Sequence, residues 1–254
     1  MRVTFLGTGT SQGVPVIGCA CPVCQSLDFR DKRFRSSIHI QIGDTSLVID
    51  TGPDFRTQML RAGITHLDAV LYTHEHKDHT AGLDDIRPFN FRQQKDMPIF
   101  AKKQVLEQIQ REFSYIFTGK RYPGVPQVET VEISDRPFTL AGITITPIPV
   151  FHYKLPIFGF RIGDFTYITD TNYIPEESLK LLEGTKTLVL NALQKDPHIS
   201  HFTLEEAIEM AQKIGAEETY FTHISHKLGL HRSVDQELPE GIALAYDGLQ
   251  LTLD

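Results

Sequence analysis

DAVLYTHEHKDHTAG, residues 68–82, decides how the rest of this chain is read. Ala69, Val70, Leu71 and Tyr72 form a short apolar run that predicts a buried strand. His74, His76, Asp78 and His79 follow at once. Histidines that serve packing usually stand alone and satisfy one hydrogen bond each, so four first-row metal ligands within six residues point to coordination. His74 and His76, two apart at an extended strand end, point to the same side. The turn toward Gly82 carries Asp78 and His79 to a second ion beside the first.

The same pattern recurs outward along the chain. His152 ends ITITPIPVFH (143–152), Asp170 lies near the end of FGFRIGDFTYITDT (158–171), and His223 ends ETYFTH (218–223), each closing a β-like run. Further strands are predicted at VTFLG (3–7), SIHIQIG (37–43), TSLVIDTG (45–52) and KTLVLNAL (186–193). Between them, PDFRTQMLRAG and KKQVLEQIQREFSYIF read as helices. FTLEEAIEMAQKIGA is the clearest helix: Leu204, Ala207, Ile208, Ala211 and Ile214 form its apolar stripe. Thr203 and Glu206 make a capping box, and Gly215 stops it. With no solenoid repeat or linker-like change of composition, one compact α/β domain over residues 1–254 is expected.

Composition narrows the function. The 254 residues are 41% hydrophobic and 22% charged, the balance of a globular protein, and no run approaches the roughly 20 apolar residues of a membrane span. MRVTFLGTG lacks the pattern of a secretory signal, so a cytoplasmic protein without a membrane partner is expected. A net charge of −7 without a long basic block argues against an extended nucleic-acid exosite. The three cysteines all fall in GCACPVCQS, as Cys19, Cys21 and Cys24. An odd number so closely spaced suits thiolate ligation of zinc better than disulfides.

HEHKDH resembles the HxHxDH signature of the metallo-β-lactamase-fold hydrolases, and the likeness extends over nearly the whole chain. It implies an α/β fold in an αββα sandwich, two mixed sheets with helices on the outer faces. LVIDTG (47–52) is similar to the motif whose aspartate, here Asp50, orients the metal loop from behind its ligands. The likeness implies that His74, His76 and His152 hold one ion, that Asp78, His79 and His223 hold the other, and that Asp170 bridges both. Asp78 is therefore counted with the catalytic residues as well as with the ligands.

Within that superfamily, an aspartate at position 170 departs from the lactamases, which place cysteine or serine there. Glyoxalase-type thioester hydrolases append a helical domain for which residues 224–254 are too few. The transfer-RNA 3′-processing enzymes share FLGTGTSQGVP but carry a basic exosite arm. GVP followed by GCACPVC, with THISH at 222–226, is most similar to bacterial phosphodiesterases that open phosphoribosyl 1,2-cyclic phosphate. That resemblance implies a structural zinc on Cys19, Cys21, Cys24 and His226, with His231 as the reserve fourth ligand. It also implies a proton donor at His201, with His198 less well matched, and it suggests a homodimer.

The implied activity is hydrolysis of a small cyclic or nucleotide-like phosphodiester by two divalent ions, zinc or manganese, with a bridging hydroxide. Two alternatives stay open: another ester or thioester metallohydrolase, and a non-catalytic relative like the pyrroloquinoline quinone biosynthesis protein. Gly7, Gly9 and Gly13 either face a phosphate or shape a tight loop. Phe113, Tyr115, Phe117 and Tyr122 either wall a substrate or pack a helix. Arg87 is expected to pair with Asp84 or Asp85.

Overall fold

The computed structural model describes residues 1–118 and 124–253, so Tyr122 lies outside the described residues. The chain divides into two compact units. One comprises Met1–Gly7, Arg35–Ser134 and the run from Gly248, and the other Thr8–Phe34 and Asp135–Asp247.

In the first unit, β1 (Arg2–Gly7), β2 (Ser37–Ile42) and β3 (Thr45–Ile49) pair antiparallel, and β4 (Ala69–Leu71), β5 (Met97–Ala101) and β6 (Val128–Glu132) continue the sheet in parallel. Helices Phe55–Ala62 and Lys103–Glu112 supply Phe55, Met59, Val105, Leu106 and Ile109 to a core with Val48, Val70, Tyr72 and Ile99. Leu47, Ile49 and Leu71, whose side chains alternate with these, are also fully buried, so the sheet is apolar on both faces.

The second unit repeats this order. β7 (Phe138–Leu140), β8 (Ile143–His152), β9 (Leu155–Ile162) and β10 (Phe165–Tyr167) pair antiparallel. β11 (Thr187–Asn191), β12 (Glu218–Thr222) and β13 (Ile242–Leu244) then follow in parallel. A final strand, β14 (Gln250–Thr252), returns to the first unit and pairs antiparallel with β1. Among the described residues each sheet therefore has seven strands and is mixed, the α/β class expected from sequence.

The helix Leu204–Ile214 carries the predicted capping box, with the Thr203 and Glu206 side chains each bonded to the other's backbone N–H, and it ends at Gly215 in the left-handed region. Ala207 and Ala211 of its stripe are buried in a core with Ile148, Leu188, Leu190 and Phe221, and Leu204, Ile208 and Ile214 pack on its edge. The stretch 158–171 is two strands, because a hairpin at Gly163 and Asp164 reverses the chain between Ile162 and Phe165. Among the described residues no helix is long and apolar enough to cross a membrane.

Two buried histidines sit in these frames. Burial, and then the charge of Arg2, bring His39 down to about 4. Burial, and then Arg33, do the same for His231. Each stays neutral in the folded chain until the pH nears 4, whereas the unfolded chain takes up these protons from about 6.5. Between those values the unfolded state binds more protons, so stability is full above pH 6.5 and declines as pH falls toward 4. Urea unfolding at pH 7 and pH 5 should show the loss, and His39→Gln should shrink the difference between the two by on the order of 1–2 kcal/mol. An equal pH dependence in wild type and variant would refute the assignment to His39.

Candidate metal centre

The donors of the first unit are organised from Asp50, which follows β3 with a φ of 65° and is fully buried. Its carboxylate accepts from the Thr73 N–H (2.9 Å), the Thr73 hydroxyl (2.9 Å) and His79 Nδ1 (2.7 Å). Burial pushes its proton affinity up, while His79 and Thr73 hold it down. These bonds fix proton positions. His79 donates from Nδ1, so its Nε2 carries the lone pair and lies 3.2 Å from Asp78 Oδ2. Thr73 spends its hydroxyl proton on Asp50 and so accepts from His74 Nδ1 (2.9 Å). That leaves His74 Nε2 as a lone pair, 3.1 Å from Nδ1 of the exposed His76. The loop itself is threaded through glycine: a Cβ on Gly52 would lie 2.2 Å from the Asp78 carbonyl oxygen, and one on Gly82 would lie 2.2 Å from that of Gly52.

The second unit gathers His152, Asp170, His201 and His223. Asp170 and His223 both have left-handed backbones, φ 59° and 55°, a conformation that costs a non-glycine residue about 1–3 kcal/mol and concentrates at functional sites. Asn191 holds Asp170 in place by bonding both the N–H (2.8 Å) and the carbonyl (2.9 Å) of Thr171. Asp170 Oδ1 faces His223 Nε2 at 3.1 Å and His201 Nε2 at 3.2 Å, and Oδ2 accepts from the Thr169 hydroxyl at 2.7 Å. His152 donates from Nδ1 to the Ser200 carbonyl (3.0 Å), which leaves Nε2 as its lone pair. Ligand atoms of His152, Asp170 and His201 lie within 4.8 Å of one another. In both units, then, one ring nitrogen is tied to the protein and the other is presented as a donor, the arrangement that metal-bound histidines require.

The cysteine run folds against His226 in the second unit. Cys19 Sγ and Cys21 Sγ each lie 3.4 Å from His226 Nδ1, and the ligand atoms of Cys19, Cys21, Cys24 and His226 are all within 4.8 Å of each other. Tetrahedral zinc–sulfur and zinc–nitrogen bonds would place a sulfur and a nitrogen ~3.5 Å apart, so the set fits. The Cys24 backbone N–H, then His226, bring the Cys21 thiol down to about 6, while burial pushes Cys24 up to about 11. His231, the reserve ligand, is engaged elsewhere: its Nδ1 meets Arg33 Nη2 at 3.0 Å and its N–H bonds Asp31.

Other expectations resolve in detail. A Cβ on Gly7 or Gly9 would strike backbone of the 33–35 segment, so these glycines serve close packing. Phe113 is buried in the first core and Phe117 packs against it, while Tyr115 bonds Asp84. Arg87 pairs with Asp84 at 2.6 Å. Sequence reasoning did not single out Thr73, Asn191 or the Ser200 carbonyl, whose roles depend on hydrogen bonds that carry no spacing signal.

The family described as Beta-lactamase superfamily domain matches residues 45–224. The chain belongs to the β-lactamase superfamily. Its two mixed sheets with flanking helices are those of the metallo-β-lactamase fold. A new diphosphatase from the PhnP family matches it in crystal structure with a TM-score of 0.94 and 42% identity, over 100% of this chain and 98% of that one. A protein named octanoyltransferase from Porphyromonas gingivalis (strain ATCC BAA-308 / W83) is 42% identical over 258 residues, covering 100% of this chain and 52% of that protein. The chain spans about half the length of the first curated relatives it matches. Zn(2+)-bound PqqB from Methylobacterium extorquens shares the fold, with a TM-score of 0.78 and 21% identity over 100% of both chains.

Because the Thr73 hydroxyl accepts from His74 Nδ1, Thr73→Val should weaken divalent-metal affinity about 10–100-fold, measured by competition with a chromogenic chelator. Undiminished affinity would show that His74 needs no such partner.

Proposed function

We propose that this chain is a metal-dependent phosphohydrolase acting on a small phosphodiester, cyclic or nucleotide-like, through a dinuclear metal centre. The observation that carries this reading is the fixed proton placement: His74, His79 and His152 each present Nε2 because Nδ1 is bound to the protein. His74, His76 and His152 would hold one ion, Asp78, His79 and His223 the other, and Asp170 would bridge them, as in the family's ligand order. Zinc suits the imidazoles, and manganese is compatible with the carboxylates. Such ions activate water at neutral pH and offset charge on phosphoryl oxygens.

The chain's own residues supply the rest. Asp170 takes both His201 and His223 as neighbours, which holds the two rings stacked at 4.9 Å. His201 is backed at Nδ1 by the Ser200 hydroxyl (3.0 Å) and by His198 (3.1 Å), and it directs Nε2 toward Asp170. A proton on that Nε2 is placed to pass to the departing oxygen of a substrate. The likeness to the diphosphatase, matched over almost its full length, supports phosphoryl chemistry. The name octanoyltransferase belongs to a protein about twice as long, and nothing in the donor sets calls for acyl transfer.

Elemental analysis of protein purified without chelators should find about three ions per chain, two in the dinuclear centre and one with the cysteines. His226→Ala should remove about one and loosen the segment before Arg33; full metal content in that variant would take His226 out of the cysteine site. Hydrolysis should be found in a panel of cyclic nucleotides and bis(p-nitrophenyl) phosphate, and thioesters should be inert. Activity on thioesters alone would overturn the phosphodiester reading.

A second role for His201 has its own support, since it lies within ligand distance of His152 and Asp170. His201→Ala separates the two. As a proton donor its loss should lower kcat about 100-fold at constant metal content, whereas loss of an ion would make it a ligand.

A further inference from the structure

Beside the second unit's donors stands a turn built from the wrong residue. His152 and Leu155 are paired, so Tyr153 and Lys154 form a two-residue hairpin loop between β8 and β9. Tyr153 has a φ of 56°, at the first loop position, where a left-handed backbone is normally met by glycine or asparagine. A bulky residue in that conformation is strained. Packing does not compensate it, because Tyr153 is 49% exposed. Strain without burial, directly after a candidate ligand, calls for another explanation.

Two more exposed apolar side chains belong to the same corner, Tyr173 at 56% and Ile199 at 67% exposure. Asn172 stitches the three together: its Oδ1 accepts from the Tyr153 N–H (2.7 Å), its Nδ2 donates to the Ile199 carbonyl (3.3 Å), and Tyr173 follows it in the chain. Phe151 fixes the third edge, donating its N–H to the Tyr173 carbonyl (3.0 Å) with the two rings 6.0 Å apart. Each element leads directly to a site residue: Tyr153 follows His152, Tyr173 lies three residues after Asp170, and Ile199 two before His201. The Lys154 ammonium stands 5.2 Å from the centre of the Tyr153 ring.

We propose that Tyr153, Tyr173 and Ile199 form a platform on which the planar aromatic part of the substrate, a nucleobase, lies while its phosphate is held at His152 and Asp170. This rests on the phosphohydrolase reading and narrows it to nucleotide-type substrates. Stacking on tyrosine is tolerant of base identity, so purines and pyrimidines should both be accepted. The aromatic wall thus comes from the second unit's strand ends, while Phe113 and Phe117 on the helical segment of the first unit pack its core.

The test compares 2′,3′-cyclic AMP with methyl β-ribofuranoside 2,3-cyclic phosphate, which presents the same phosphate and leaving group without a base. Wild type should prefer the nucleotide in kcat/KM. Tyr153→Gly and Tyr153→Asn both suit the turn, so thermal unfolding should find them folded, and the preference should fall about tenfold in each. Tyr153→Phe should keep it. An unaltered preference in the Gly and Asn variants overturns the platform. If wild type opens neither compound, the phosphohydrolase reading is decided by the substrate panel, and calorimetry decides the platform alone. It stands if AMP binds about tenfold tighter than ribose 5-phosphate and Tyr153→Gly abolishes the difference, and it falls if the two ligands bind alike.

Discussion

One buried carboxylate orders the first set of donors. Asp50 has no access to water, so its charge must be met by hydrogen bonds from the protein. It receives three, two from Thr73 and one from His79. Those same bonds decide which nitrogen of His79, and through Thr73 which nitrogen of His74, is left to coordinate. The left-handed backbone at Asp50 is strained, and its N–H is nevertheless bonded to the Leu71 carbonyl at 2.9 Å. Local conformational cost is accepted there because the bonds it makes are worth more in a dry environment than in water.

The pairing order of the sheets explains why these residues stand at strand ends. Each sheet changes from antiparallel to parallel pairing at one place, between β3 and β4 in the first unit and between β10 and β11 in the second. Asp50 follows β3 and Asp170 follows β10, so each aspartate occupies the point of change. Strands that pair in parallel end at the same edge of their sheet, so the residues after β3 and β4, and those after β10, β11 and β12, leave from one edge of each sheet. His74 lies just past the end of β4 and His223 directly past β12, at the same kind of edge.

Much of this was legible in the residues because ligand clusters and apolar strands leave strong local patterns. The strand that leads into HEHKDH and the capped helix at Leu204–Ile214 form where they were expected, and the Cys19–Cys24 run lies against His226. What escaped has a physical cause in each case. β6, VETVE, has two glutamates and partial exposure, and β5 contains Pro98, so neither shows the apolar alternation that marks a strand. β13 and β14 are three residues long. Tyr153 was invisible because a left-handed turn is ordinarily announced by glycine, and the departure from that rule becomes a signal only once the backbone is known.

Ile224 lies between the two metal-type clusters of the second unit. Its N–H bonds the Thr8 carbonyl and its own carbonyl accepts from Thr10, so the segment after Gly7 is zipped onto the strand end that carries His223 and His226. An ion shared by Cys19 and His226 would join points 207 residues apart, a closure that removes roughly 5 kcal/mol of freedom from a denatured chain if it behaves as a covalent crosslink does. Unlike a disulfide, this staple can be withdrawn without oxidation or reduction. The lifetime of the folded chain would thereby follow the supply of free zinc around it.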